Sequence, residues 1–423
     1  MGAEDRERIV FPPPWTSPYT IDPADPHHFI NAEGEYLFLV NKTAWAYFGC
    51  KNPQGVLDRA KAQGVNVLRV ALEGTPYEDV LGIELWPWGG TREVPDWTTW
   101  NETYWDEVEK RIRLAGEQGI GFDLVLYFRY HPVESEIPQQ QAYWNQVLHR
   151  LAKYPNIFTW EITNEYTRNE AFQDAVGMYF NQHDPWRRPV CSSDGTTDDA
   201  LWPAKPWMNL AINHTCTGSL DLQDWYLGIA RNTRSYGKPA FNNESGREKR
   251  HRNDDGVHRR KQGWLWCAAG GYWTWHSWDG CEGIDETDYK APGEEFLRPM
   301  ASYFRSIPFW RLSPKYTAVR IEGETLVAAT LADAGRHWVI TYCCTKETGA
   351  RRETALAHIR LPDGDYTVSF FQPRDGALLS QTTVRSSGSH QIHSLTIPPF
   401  TDDCLIQIKL QTAAERTQMP GTQ

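Results

Sequence analysis

The sequence predicts a (β/α)8 TIM barrel followed by a small antiparallel β-sandwich, and three observations carry the prediction. Compact apolar runs alternate with amphipathic stretches from Glu35 to about Gly280, the pattern of a parallel sheet covered on both faces. Eight such units in about 280 residues are the number that closes a barrel. From Tyr316 onward, short alternating runs are divided by Glu322-Gly323, Pro362-Asp363-Gly364 and Asp375-Gly376, each suited to a tight β connection. The expected organisation is a barrel with an N-terminal arm over residues 1–312, a sandwich over 313–412 and a disordered tail over 413–423.

The proline-rich segment to about Ile30 reads as an irregular arm laid over the surface. Residues 35–40, EYLFLV, form the first expected strand and lead into Asn41 and Trp45. Residues 53–63 carry Val56, Leu57 and Ala60 at helical spacing, with Gly64 placed to end the helix. The second strand, 65–72, is interrupted by Arg69, and a long loop bearing Trp86, Trp88, Trp97 and Trp100 follows. Helix 104–118, strand 121–128 and helix 140–153 lead to Tyr154-Pro155-Asn156, a turn signal because proline fixes φ and excludes the preceding residue from the helical region. Strand 157–163, IFTWEIT, then ends on Asn164 and Glu165. Further strands are expected at 189–193, 207–214, 239–244 and 270–278, with helices at 169–184, 222–236 and 262–269. The sandwich strands are expected at 317–321, 325–331, 337–343, 358–361, 366–371 and 404–410.

Composition narrows the function classes. A formal charge of −11 opposes general nucleic-acid binding, which requires a basic face. No apolar run approaches the roughly 18 residues of a membrane span. The start, MGAEDRERIV, lacks the apolar core of a signal peptide, so the expected location is secreted or periplasmic if a signal has been removed and cytoplasmic otherwise. Eight cysteines without a C-x-x-C read as small buried hydrophobes rather than a zinc ribbon or redox motif. There is no P-loop, G-x-G-x-x-G or G-x-S-x-G, and neither His27-His28 nor His131-x-x-Glu134 supplies a full metal-ligand set. Neither a cofactor nor a metal is therefore expected. The 20 tryptophans suit a carbohydrate partner, because sugar rings expose C–H faces that stack on indole, although core packing also uses tryptophan.

In barrels of this type the active site lies at the carboxyl ends of the strands, so the residues at the strand exits are the candidates. They are Asn41 and Trp45, Arg69, His131, Asn164 and Glu165, Asp194, His214, Glu244, and Trp275 with Trp278. Glu165 and Glu244 end the fourth and seventh strands and face each other across the mouth. Two carboxyls about 5–5.5 Å apart allow double displacement at a glycosidic carbon, and about 6.5–9.5 Å leaves room for inversion through water. Glu161, in the same strand as Glu165, is expected to point elsewhere or to lie deeper. Glu73 and Asp123 read as core or loop ion pairs, and the charge run 247–261 as a solvated loop that could also reach an acidic sugar at the rim.

Asn164-Glu165 after a fourth strand, with Glu244 ending a seventh, resembles the retaining glycoside hydrolases of clan A, the "4/7" superfamily. Arg69 in NVLRV matches that pattern's second-strand arginine, His214 its sixth-strand histidine or tyrosine, and Trp275 or Trp278 its eighth-strand tryptophan. A closer similarity is to the apiosidase-like, cellulase-type barrels that carry a C-terminal β domain, through NKTAWAYF, PFWRLSP and GDYTVSFFQPRDG. Those families more often place aspartate where Asn41 stands, a departure that bears on sugar specificity. The resemblance implies hydrolysis of a plant, algal or microbial poly- or oligosaccharide, with Glu244 as nucleophile and Glu165 as acid/base. It further implies substrate contacts from Asn164, Arg69, His214, Trp45, Trp275, Trp278 and His131. Two other classes remain for comparison: a non-catalytic carbohydrate-binding barrel, and a metal-dependent barrel hydrolase.

Overall fold

The computed structural model describes residues 15–73, 81–195, 199–215, 223–245, 255–276, 293–323, 325–388 and 391–412. Eight parallel strands make the barrel: β1 (Val40–Thr43), β2 (Val67–Ala71), β3 (Gly121–Tyr127), β4 (Ile157–Thr163), β5 (Val190–Cys191), β6 (Ala211–Asn213), β7 (Ala240–Ser245) and β8 (Tyr272–Trp275). Their ladder runs β5-β4-β3-β2-β1-β8-β7-β6, so β1 pairs with β8 and the sheet turns back on itself. The gap between β5 and β6 is bridged by Asn209: its backbone N–H donates to the Val190 carbonyl at 2.9 Å, and its Oδ1 accepts from Val190 N at 2.8 Å. Covering helices are α1 (Pro53–Ala62), α2 (Glu102–Glu117), α3 (Ile137–Leu151), α4 (Glu170–His183), α5 (Gln223–Arg234), α6 (Gly256–Ala268) and α7 (Leu297–Arg305). Three begin on side-chain caps: Asn52 accepts from Gly55 N, Asn101 from Tyr104 N and Asp255 from His258 N, each satisfying a donor that the first helical turn leaves open.

The N-terminal arm is not an irregular strap over the surface. Thr20–Ile21, Phe29–Ile30 and Tyr36–Leu37 pair as a small antiparallel sheet, so the first barrel strand begins only at Val40. This sheet plugs the amino ends of the strands. Phe29 is fully buried against Phe158 and Tyr272, and Trp15 lies so close to Gly121 that a Cβ there would sit 2.3 Å from the indole. His28 is trapped in the same layer, with Nδ1 3.0 Å from the Tyr272 hydroxyl. Burial lowers its pKa to about 4, outweighing the pull of nearby Asp25 and reinforced by Arg234 and His27. The unfolded chain, with a histidine near 6.5, therefore binds the extra proton between about pH 4 and 6.5, and stability falls as pH drops through that window. The expected loss is about 3 kcal/mol. Thermal melts of the parent should fall more steeply between pH 7 and 5 than those of His28→Asn, which keeps an acceptor near the Nδ1 position; equal slopes would remove the assignment.

The C-terminal region is a sandwich of two antiparallel sheets. Its strands are β9 (Val319–Glu322), β10 (Leu326–Ala332), β11 (Trp338–Thr345), β12 (Ala355–Arg360), β13 (Gly364–Phe371), β14 (Leu378–Ser386), β15 (Ile392–Ile397) and β16 (Asp403–Leu410). One sheet runs Ser313–Pro314, β10, β11, β16, β13, β14, and the other β9, β12, β15. Because side chains alternate across a strand, β11 divides its apolar residues. Ile340, Tyr342 and Cys344 join the barrel core, while Val339 and Cys343 join the core between the two sheets. Barrel and sandwich thus share a continuous apolar interface.

That interface overturns the reading of the charge run as a solvated loop. Residues 246–254 lie outside the described residues, but His258, Arg259, Arg260 and Lys261 form the first turns of α6 and are buried, Arg260 and Lys261 against the sandwich. Arg260 makes a two-pronged pair with Asp403 at 2.8 and 3.0 Å. Lys261 Nζ donates to the Thr345 and Glu347 carbonyls and lies 3.2 Å from Asp402. Cations buried this way hold position because their charge meets carboxylates and carbonyls of the sandwich.

Candidate active site

Arg69 is the hub. It stands in the middle of β2, fully buried, with Thr43 and Asp123 level with it on the neighbouring strands. Its Nε and Nη2 grip Glu161 of β4 at 2.7 and 2.6 Å, Nη1 reaches Glu244 at 2.9 Å, and Nη2 also donates to Asn164 Oδ1 at 2.8 Å and Ser193 Oγ at 3.2 Å. The Trp45 ring covers the guanidinium, with Cζ 4.6 Å from the ring centre, and Phe128 backs the indole. Burial opposes a charge here, but the Glu161 carboxylate outweighs it, with Glu244 adding, and the Arg69 pKa stands above its ordinary value. Asp123 sits beside it on β3. Burial, reinforced by the Glu161 charge, drives its carboxyl well above the usual range, against the pull of Arg69 and of the Asn41 amide at 3.3 Å. Asp123 Oδ1 has no hydrogen-bond partner among the described residues.

Glu165 and Glu244 are presented above this hub by two backbone irregularities. Glu165 follows the last residue of β4 by two positions and has φ 51°, a left-handed conformation that costs a non-glycine residue about 1 kcal/mol or more. In β7 the register with β8 shifts between Asn242 and Ser245, so Asn243 and Glu244 together oppose the single residue Thr274. Such a bulge re-aims side chains. It lets consecutive residues both face inward: Asn243 Nδ2 donates to Glu161 at 3.2 Å and Glu244 meets Arg69.

One oxygen of Glu165, one of Glu244 and a ring nitrogen of His214 all lie within 4.8 Å of one another. His214 Nδ1 is 3.2 Å from Glu165 Oε1, and its buried Nε2 has no partner among the described residues. The two glutamates differ in environment: the Glu165 side chain is 31% exposed and the Glu244 side chain 6%. Burial alone is thus a weaker lever on Glu165 than its place at the end of a buried strand implies. Asn164 Oδ1 is committed to Arg69, a group with donors only, so the Asn164 amide N–H groups point away from it. Among the described residues two sets of side chains have metal-like spacing, Glu165/His214/Glu244 and Asp123/Glu161/Cys191. In each, a carboxylate is already ion-paired to Arg69, which supplies the positive charge an ion would bring.

Of the other candidates, His131 stacks on Tyr166 at 3.9 Å beside Glu165, and burial lowers its pKa. Trp275 is not brought into the mouth. Its ring is fully buried on the helix side of β8, flanked by Lys42 and Arg259 at 5.2 and 5.3 Å. The next residue, His276, faces inward instead, with Nε2 3.7 Å from Glu244 Oε1. Trp278 lies outside the described residues. Sequence reasoning also passed over the roles of Glu161 and Asn243. Glu73 proves to be a loop clamp, accepting from the backbone N–H groups of Phe128, Arg129 and Tyr130 just past β3. Burial raises its pKa despite those bonds and Arg92. The loop tryptophans Trp86 and Trp88 are buried, packing with Trp97, Tyr130 and Tyr143 over the exit of β3.

A parallel barrel whose mouth gathers two glutamates, an asparagine and an arginine, extended by a β-sandwich, is the architecture of a glycosidase. Residues 24–273 match the model of the Apiosidase-like catalytic domain, and the chain belongs to that family. Solved structures share the fold. A family 5 glycoside hydrolase from Bacteroides vulgatus superposes with TM-score 0.72 at 14% identity, over 94% of this chain and 95% of that one. A second glycoside hydrolase gives TM-score 0.69 at 14% identity, covering 94% and 98%. An exo-β-1,4-mannosidase from Opitutaceae bacterium strain TAV5 gives 0.51 at 13% identity, over 69% and 63%. None of the curated protein sequences matches the chain. No helix among the described residues is long and apolar enough to cross a membrane.

Proposed function

We propose that this glycosidase acts with retention of configuration on O-glycosidic bonds of a plant, algal or microbial poly- or oligosaccharide, by double displacement with two glutamates. The observation that carries the reading is the approach of one Glu165 oxygen and one Glu244 oxygen to within 4.8 Å, nearer to the roughly 5–5.5 Å of double displacement than to the roughly 6.5–9.5 Å that leaves room for water. Glu244, held by Arg69, attacks the anomeric carbon. The glycosidic C–O bond breaks and its oxygen takes the proton of Glu165. Glu165, now a carboxylate, removes a proton from water as that water attacks the same carbon, releasing Glu244 and restoring the acid. Exposure of Glu165 suits this role, because it must meet both a leaving group and a solvent water. Asn164 would donate to the 2-hydroxyl, a contact that strengthens as the oxocarbenium ion develops, while His214 orients Glu165 and His131 and Trp45 line the sugar's approach. No step calls for a metal or cofactor.

The reading is tested by proton NMR of hydrolysis with α- and β-aryl glycosides, following which anomer forms first. Retention is expected, and an inverted first product would exclude Glu244 as nucleophile. A carbohydrate-binding protein without catalysis is the second reading. Convergence of both acids on one point disfavours it, and it would show as sugar binding without turnover across the panel.

A further inference from the structure

A cleft of about 1070 Å³ runs between α7, on the outer face of the barrel, and the sandwich. No residue of the catalytic cluster lines it. One wall is aromatic: Tyr303 of α7, Phe371 at the end of β13 and Trp338 at the start of β11, all half-buried. The other lining groups are mixed: Gln407, Lys409, Glu295 and Asp375 are polar or charged, and Lys409 Nζ lies 5.4 Å from the Trp338 ring centre. Gln407 of β16 accepts from the Tyr303 hydroxyl through Oε1 at 3.0 Å, which turns its amide hydrogens elsewhere. Arg298 of α7 and Arg374 of the β13–β14 turn stand exposed at the rim, Arg374 with Nη2 3.6 Å from the Asp375 carboxylate.

We propose that this cleft is a second carbohydrate-binding site, separate from the catalytic mouth, that holds a segment of glycan chain. A ligand matching the walls presents apolar faces to the three rings and hydroxyls at its edges to amide and guanidinium groups, which is the amphipathic character of a sugar ring. The volume lies at the upper end of small-molecule sites, roughly 300–1000 Å³, and so fits a run of a few rings better than a monosaccharide. An apolar peptide would leave Arg298, Arg374 and the Gln407 amide facing carbon. A nucleic acid would meet a chain of net charge −11. Holding a distal part of a polysaccharide here raises the local concentration of chain near the mouth without adding a catalytic contact.

The test is affinity electrophoresis of the full chain in native gels containing arabinoxylan, xyloglucan or polygalacturonate, arms that separate neutral from acidic glycans. The background carries Glu165→Gln, so retardation needs no turnover and its outcome is independent of the catalytic assignment. Retardation is expected in at least one gel, weakened at least tenfold by Trp338→Ala and several-fold by Arg374→Ala. Arg374 is 58% exposed, so that variant has no core packing to lose. In the active background both variants should hydrolyse a soluble aryl glycoside as the parent does. No retardation in any gel, or retardation that persists with Arg374→Ala, would overturn the proposal, the latter assigning the binding to the catalytic mouth.

Discussion

Glu244→Gln should lose essentially all hydrolysis, on the order of 10⁴-fold or more, with every substrate whatever its leaving group. The amide keeps the shape and can still meet Arg69, so the folded state is retained, but its oxygen is too weak a nucleophile to form the glycosyl ester. Glu165→Gln should behave differently. Its loss should be roughly 10²–10⁴-fold on substrates with poor leaving groups and much smaller for an activated aryl glycoside, because an acidic phenol departs without a proton. With that substrate the first step outruns the second, so a burst of phenol should precede slow turnover. The alanine variants sharpen the contrast, since each leaves room for azide. Glu165→Ala should then yield a glycosyl azide of the substrate's own configuration, formed on the Glu244 ester. Glu244→Ala should give the inverted azide by direct attack. Matching configurations from both variants, or hydrolysis persisting in Glu244→Gln, would sink the two roles assigned here.

The residues proposed for those roles stand out in the sequence for one physical reason: a charge at the end of an apolar strand is expensive unless it is used or paired. Arg69, Glu165, His214 and Glu244 each break or end such a run, and all four meet in the structure. What was not legible depends on direction. A strand buried on both faces carries no alternation, so nothing in GGYWTWHSW tells inward from outward residues; Trp275, expected in the mouth, turns away from it, and His276, for which no role was expected, faces Glu244. A bulge is invisible in the same way, and only the coordinates show Asn243 and Glu244 both facing inward. Long-range pairing accounts for the buried end of the charge run, because the partner of Arg260, Asp403, stands 143 residues away in sequence. The strands β14 and β15 had no expectation at all. β14 is an edge strand exposed over most of its length, so it needs no apolar pattern to be read.

Arg69→Met should destabilise the fold by about 3–5 kcal/mol, the usual consequence of leaving buried carboxylates without their cation. Glu161 is fully buried and Glu244 nearly so, and both are paired to Arg69; Asp123 stands level with it on the neighbouring strand. Asp123 is already held above the ordinary carboxylate range by burial and by Glu161, and it would lose the one charge that pulls it down. The carboxyls left behind would hold protons to higher pH than in the unfolded chain. A folded-state pKa raised in this way contributes stability that is present at low pH and is lost as pH rises through it. The melting temperature of Arg69→Met should therefore approach the parent near pH 5 and diverge from it by pH 8. Adding Glu161→Gln should restore part of the loss, since a neutral amide costs less to bury than an unpaired carboxylate. Catalysis should not return with stability. Without Arg69, Glu244 loses the charge that favours its ionised form and Asn164 the donor that fixes its amide, so the restored fold would still lack an oriented nucleophile. A double variant that regained turnover along with its melting temperature would make Arg69 a structural bridge between Glu161 and Glu244 and nothing more.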